Sequence, residues 1–372
     1  MQQKKFYLKN KIKIYFFHPY SGYGGADLSI SRLINGLNTN NFDIDFLSIN
    51  PPKLSKKITK KIKYRKINAS RTIFAFKKIK QIIEKDKIYN KKIFISNQYF
   101  ANVLSLFFLK KFKNLKIVVF ERNHLSELSN YINLKDLFKK VIIKFLVKIS
   151  YKKANLIICN SKETAKDLEK FVNAKVLSLY NPCFFGFKKK RKKKKYNKIK
   201  LINVGRFVDQ KNQITILKAI KKTNFREKFK VNLFGYGKDY HYLKSYITKN
   251  NLDNVKLIQN VFDKNQIYSD ADLYVGSSLY EGFPNTYVEA ASHRIPIISS
   301  NFKSGPKEIL LNGKAGTFFP IKDSEKLSKL LDDFYLKRNK YLKKEIICSK
   351  NLKRFSNQKI TKEFNSILKR LD

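Results

Sequence analysis

The sequence predicts an α/β protein made of two doubly wound domains, and three observations carry that prediction. β-rich runs alternate with helix-period segments in two separate series, the pattern of parallel sheets covered on both faces. At 372 residues the chain is longer than a single compact core usually supports. Between the two series lies "KKKRKKKK" (188–195), eight consecutive basic residues that cannot be buried. The expected division is 1–184 for the first domain, 185–198 for a basic linker and 199–354 for the second domain. Residues 355–372 then form a terminal helix that crosses back to the first domain.

The first series opens with "KIKIYFFHP" (11–19), a β-rich run stopped by Pro19. The glycine-rich "SGYGGADL" (21–28) follows, and Leu28, Leu33, Ile34 and Leu37 then carry a helical period. "FDIDFLSI" (42–49) alternates with period two, and "KKIFIS" (91–96), "LKIVVFE" (115–121) and "ANLIICNS" (154–161) are buried-strand runs. The second series runs from "KIKLINVGR" (198–206) through a helix over 213–222 to "FKVNLFGYG" (229–237). A helix over 239–249, "VKLIQNVF" (255–262), "DLYVGSS" (272–278) and "IPIISSN" (295–301) complete it. In the tail, Phe355, Ile360, Phe364, Ile367 and Leu371 recur near helical spacing.

Composition narrows the function classes. The net charge of +52 invites a nucleic-acid reading, but the lysines are spread along the whole chain and no nucleic-acid-reading motif accompanies them. A basic nucleic-acid-binding protein is therefore the rival class, and no nucleic-acid partner is expected. Cys159, Cys183 and Cys348 are far apart and have neither a C-x-x-C nor a zinc spacing, which suggests a reducing compartment without a structural metal. The N-terminal segment is charged throughout, unlike a signal peptide, and the longest apolar stretch, Phe100 to Leu109, is half a membrane span. A cytoplasmic protein is expected.

Ligands of open parallel sheets bind outside the carboxyl ends of the strands. The second series places Arg206 and Lys211 there in "NVGRFVDQKNQ", two glycines in "FGYG", and then "SSLYEGFPNTYVEA" and "SNFKSGPKEIL". Pro284 and Asn285 begin a helix, so the first-turn N–H groups and the positive dipole end point toward the crevice. Arg206 and Lys211 would add charge-assisted hydrogen bonds of roughly 1.5–3 kcal/mol each, more than the ~0.3–1 kcal/mol of the dipole. Glu281 lies in the loop before this helix and Glu289 in its second turn. A diphosphate between two hydroxyl-rich groups, a nucleotide sugar, fits that spacing.

These residues carry a resemblance. Arg206 with Lys211, Glu281 and Glu289 as E-x7-E within E-G-F-P-N, and S-G-P-K-E-I-L at 304–310 resemble the retaining glycosyltransferases of the glycosyl-transferase group 1 type. In the first half, "GYGGAD" (22–27) is similar to that family's glycine loop, "ERNH" (121–124) to its central histidine loop, and "NSKET" (160–164) and "LYNP" (179–182) also match. The resemblance covers nearly the whole chain. It implies the GT-B fold, two doubly wound Rossmann-like domains facing a central cleft.

It also implies roles. Glu281 and His124 are the catalytic residues, with Glu281 near the donor sugar and His124 reaching it from the first domain. Arg206, Lys211 and the backbone at Asn285 and Thr286 hold the diphosphate, and Glu289 holds the ribose. Gly282 and Phe283 give backbone contacts to the sugar, Val261 and Phe262 lie on the base side where relatives often have Gly-Phe, and Gly24 and Gly25 form the N-terminal glycine loop. Asp27 stands where Glu is commoner. The implied reaction retains the anomeric configuration and moves a sugar from a nucleotide-diphosphate donor to a growing, lipid-linked surface glycan. Likeness to bacterial hexosamine transferases suggests a UDP-linked hexosamine donor, such as UDP-N-acetylgalactosamine. No cofactor or metal is implied. Transfer to a small soluble acceptor is the alternative.

His18, His241 and His293 are expected to be structural or exposed. Two D-x-D triplets, Asp43-Ile44-Asp45 and Asp270-Ala271-Asp272, lie in or just before strands rather than at a metal site. Residues 135–153 have an apolar stripe of Leu137, Phe138, Val141, Ile142, Phe145, Leu146 and Ile149, with Lys140, Lys144 and Lys148 on another face. Two readings stay open: a helix whose stripe packs on the sheet beneath solvated lysines, or a helix that docks on an anionic membrane surface, peripheral on the inner face of the cytoplasmic membrane.

Overall fold

A computed structural model describes residues 11–371 except 21–23, 50–57, 130–132, 189–197 and 262. The basic run expected to link the domains lies, apart from Lys188, outside the described residues. The chain divides into two compact units, one of residues up to Pro182 together with Asn357 onward, the other Cys183–Ser356.

The first unit is a seven-stranded parallel sheet. Its elements are β1 (Ile12–Phe17), α1 (Gly25–Asn35), β2 (Phe42–Ser48), β3 (Lys63–Lys66), α2 (Thr72–Lys85), β4 (Lys92–Asn97), α3 (Tyr99–Leu109), β5 (Leu115–Glu121), α4 (Leu134–Ser150), β6 (Leu156–Cys159), α5 (Lys162–Val172) and β7 (Val176–Ser178). Strand order is β3-β2-β1-β4-β5-β6-β7, so the chain reverses direction across the sheet between β1 and β4. Every residue of β1 and β4 is buried because helices cover both faces. Ile14 and Phe16 belong to one core, Tyr15 and Phe17 to the other.

β2 departs from its alternating pattern. Phe42, Ile44 and Phe46 face one core, yet the opposite face is buried too, with Asp45 fully enclosed. Lys13 makes this tolerable: its ammonium lies 2.9 Å from Asp45 and 3.2 Å from Asp43. Arg65 on β3 also donates to Asp45, and Tyr89 donates to Asp43. The first D-x-D triplet is thus bound up inside the sheet. The second, just before β11, is paired too: Lys200 with Asp270 and Arg338 with Asp272.

The second unit holds β8 (Ile199–Val204), α6 (Gln213–Lys222), β9 (Phe229–Phe234), α7 (Tyr240–Lys249), β10 (Val255–Ile258), α8 (Lys264–Tyr268), β11 (Leu273–Gly276), α9 (Asn285–Ser292), β12 (Ile297–Ser300), α10 (Pro306–Ile309), β13 (Thr317–Phe319), α11 (Ser324–Leu336) and α12 (Arg338–Lys350). The order β10-β9-β8-β11-β12-β13 repeats the plan of the first sheet, with the reversal between β8 and β11. After it, α13 (Asn357–Lys369) returns to the first unit. Ile360, Phe364 and Leu368 enter that unit's core, where Phe364 meets Phe120 edge-on at 6.2 Å. Asn365 fixes the register by donating to Gly36 and accepting from the Asn38 N–H, both at 2.8 Å.

The helix at 135–153 is not packed through its apolar stripe. α4 turns Val147 and Ser150 inward, with Leu137, Ile143 and Leu146 half-buried, and exposes Phe138, Val141, Ile142, Phe145 and Ile149. Lys140 and Lys144 lie toward the flanks, Lys140 2.9 Å from Asp136 and Lys144 over the Phe171 ring. The stripe-inward reading is therefore overturned.

Candidate functional site

The carboxyl ends of β8 and β11 flank the reversal point of the second sheet, and the loops that leave them are tied together. Asn212 adopts a left-handed conformation (φ 48°) that ends one short turn and starts α6. Its side chain donates to the Ser277 carbonyl at 3.3 Å, and Ser277 Oγ donates back to the Lys211 carbonyl at 2.8 Å. The Leu279 N–H donates to the Gln210 carbonyl, while the Gln210 side chain donates to the Tyr280 carbonyl. Four cross-bonds therefore set the separation of Lys211 from the loop carrying Glu281.

The result is a close ion pair. Lys211 Nζ lies 2.7 Å from Glu281 Oε1, and Ser278 Oγ donates to the same oxygen at 2.6 Å. Both side chains are mostly enclosed, 18% and 13% exposed, so each desolvated charge depends on the other. Arg206, at the end of β8, is exposed and has no hydrogen-bond or ion-pair partner for its guanidinium among the described residues.

Neighbouring loops are seated by glycines. Gly305, at φ 87°, lies so near the E-G-F-P turn that a Cβ would stand 2.6 Å from Pro284 Cδ. Ser304 Oγ donates to the Gly282 carbonyl across the same contact. A Cβ on Gly235 would fall 1.9 Å from the Gly205 carbonyl oxygen, so the ends of β8 and β9 meet backbone to backbone. Phe283 is buried and packs edge-on against Phe355 at 5.3 Å, which anchors the turn before α9.

Glu289 sits on α9 with two partners that sequence reasoning missed. Lys264 donates to one carboxylate oxygen and Tyr268 to the other. Both come from α8, four residues apart and so on one helical face. Tyr268 is buried between Tyr274 and the His293 ring, and burial, then Glu289, keeps its hydroxyl protonated far above the usual range. His293 is buried, with Nδ1 2.8 Å from the Glu289 carbonyl, and burial lowers its pKa. Thr286 accepts from Tyr274 at 2.8 Å. Val261 is half-buried, and its partner Phe262 lies outside the described residues.

In the first unit, "ERNH", "NSKET" and "LYNP" meet at Arg122, whose guanidinium is buried. Arg122 of "ERNH" donates to Ser29 and Asn181, each at 3.1 Å, and to Asn97 at 3.3 Å. Its carbonyl accepts from Asn160 of "NSKET". Burial pulls the Arg122 pKa down to about 9. The adjacent Glu121 is enclosed by Asn102 and Tyr151, and burial pushes its pKa up to about 8. His124 is buried, with Nε2 2.7 Å from the Asp167 carboxylate on α5. Gly24 and Gly25 open α1, where Asp27 accepts from the Gly24 N–H and from His18, each at 2.8 Å. Asp27 thus does locally what the expected Glu would do at the third position of a capping box.

Two Rossmann-like units of this topology define a GT-B fold, and the comparisons agree. Anabaena HepE in complex with UDP-glucose superposes with a TM-score of 0.78 over 96% of this chain and 99% of that one, at 17% identity. Residues 184–353 match the family described as glycosyl transferases group 1. An uncharacterized glycosyltransferase of Methanocaldococcus jannaschii is 32% identical over 53% of this chain and 51% of its own length. The Campylobacter jejuni N-acetylgalactosamine-N,N'-diacetylbacillosaminyl-diphospho-undecaprenol 4-alpha-N-acetylgalactosaminyltransferase is 25% identical over 55% of this chain and 58% of its own. The match spans little more than half the length of either curated relative.

Proposed function

We propose that the chain is a retaining glycosyltransferase that moves an N-acetylhexosamine from a UDP-linked donor to a growing, lipid-linked glycan. One observation carries this reading: the stitched loops bring Lys211, Glu281 and the start of α9 together at the carboxyl edge of the sheet, beside Arg206. An arriving diphosphate competes for Lys211 and joins Arg206. That exchange releases Glu281 to accept hydrogen bonds from the donor sugar. Glu289, one helical turn farther on, accepts from the ribose hydroxyls in place of Lys264 and Tyr268.

In the step itself the C1–O bond to the β-phosphate breaks, and its electron pair leaves with UDP. The acceptor oxygen attacks C1 from the same face, and its proton passes to the departing phosphate oxygen. Negative charge grows on the diphosphate, where Arg206 and Lys211 stabilise it in this reading. Asn285 and Thr286 present their backbone at the helix start, Gly282 and Phe283 carry the sugar-side backbone, and Val261 with Phe262 is assigned to the base side. His124 is assigned to the sugar and Gly24–Gly25 to the phosphate or acceptor. The Campylobacter relative, whose name gives a diphospho-undecaprenol-linked acceptor and an N-acetylgalactosaminyl group transferred to it, supports the choice of donor and acceptor class.

Incubating the purified protein with a panel of nucleotide sugars and following slow UDP release tests the reading. Release from a UDP-hexosamine above all others is expected. Release from no member of the panel would reject it.

A further inference from the structure

We propose that the outward face of α4 docks the first unit on an anionic lipid bilayer. This goes beyond the glycosyl-transfer reading and stands without it, since it rests on the shape and charge of one helix.

Leu134, Phe138, Val141, Ile142, Phe145 and Ile149 are between 37% and 70% exposed. At 3.6 residues per turn they fill a continuous arc of about 100°, with no polar side chain inside it. The inward arc, by contrast, is thin: only Val147 and Ser150 of α4 are buried. A stripe of six large apolar side chains left in water is the inverse of an ordinary surface helix, which turns its polar side outward. Nearby on α3, Phe107 is half exposed, with the Lys153 ammonium over its ring.

Charge identifies the occupant. Lys135 and Lys139 border the arc on one side and Lys148 on the other, all three exposed. The helix carries one acidic residue, Asp136, which pairs with Lys140 and lies on the inward half. An apolar arc edged by lysines matches the headgroup boundary of a bilayer rich in acidic lipids: the rings enter the acyl region and the ammoniums meet phosphates. No helix among the described residues is long and apolar enough to cross a membrane, so the attachment lies on the surface.

The chain contains no tryptophan, so Phe138→Trp creates a single reporter within the arc. With vesicles of equimolar phosphatidylcholine and phosphatidylglycerol its emission should shift to the blue. It should also become quenchable by brominated acyl chains, and phosphatidylcholine alone should give neither effect. Binding should weaken with salt as the Debye length contracts from ~10 Å at 0.1 M to ~3 Å at 1 M. In vesicle sedimentation, the double variant Phe138→Ser/Phe145→Ser should lose about tenfold or more of its binding. The triple variant Lys135→Gln/Lys139→Gln/Lys148→Gln should lose about fivefold per lysine. Both should keep the parent melting temperature, because the altered side chains are exposed. The proposal is overturned by an absent spectral shift, by equal binding to phosphatidylcholine, or by undiminished binding of both variants. A shift that grows with protein concentration without vesicles overturns it in favour of self-association through the same face.

Discussion

Lys211 holds its ammonium 2.7 Å from Glu281 because the backbone beneath both is cross-bonded, not because two surface charges met by chance. Lys211→Ala would leave Glu281 enclosed without its cation and, on the proposed reading, remove one donor to the leaving diphosphate. UDP release from the donor should fall on the order of 10²–10³-fold. A change confined to the Michaelis constant, with turnover intact, would speak against a role in the departing charge. Glu121 makes a separate residue-scale prediction. Burial raises its folded-state pKa to about 8, well above the ordinary carboxyl value, so folding binds a proton there. The stabilisation is complete below the ordinary carboxyl range and is lost as pH rises to about 8. Glu121→Gln should flatten that slope, which is at most about 1.4 kcal/mol per pH unit. Urea titrations of parent and variant between pH 5 and pH 8 check it through the widening gap in favour of the variant.

At the scale of elements, α13 fills the first unit's core with Phe364, packed against Phe120. Phe364→Ala should cost about 3–5 kcal/mol of stability and lower the first unfolding transition seen by calorimetry. Central elements such as this were legible in the sequence. The run 198–206 was dense enough in apolar residues to mark β8, and the 213–222 period coincides with α6. Apart from β10, the edge strands were not. β3 reads Lys-Tyr-Arg-Lys and β13 is three residues long, since a strand with one neighbour needs little apolar surface. The direction of the α4 stripe stayed open for another reason. Periodicity reports that a helix has an apolar face but not which way that face turns. In the site, E-x7-E and G-R-x4-K could be read from residue type and spacing, whereas Lys264 and Tyr268 could not be linked to Glu289. That contact depends on how α8 and α9 pack, which leaves no mark on local sequence.

For the whole molecule, 80 Lys and Arg against 28 Asp and Glu make every carboxylate in a ligand site conspicuous. Among the described residues the two D-x-D triplets spend their carboxylates on Lys13, Arg65, Lys200 and Arg338. On the proposed reading, the charge work on a diphosphate falls to Arg206 and Lys211. UDP release should accordingly persist in excess chelator. Activity abolished by chelator and restored by Mn²⁺ would assign that work to a metal ion instead. The central claim is that the second unit holds a nucleoside diphosphate with Glu289 on the ribose and Glu281 on the sugar side. Calorimetric titration of UDP into the parent, Glu289→Gln and Glu281→Gln proteins tests it most directly. The account predicts UDP affinity reduced about tenfold or more by Glu289→Gln, as loss of a hydrogen bond to a charged group implies, and not reduced by Glu281→Gln, which frees Lys211 for the diphosphate. Equal loss of UDP affinity in both variants would contradict it.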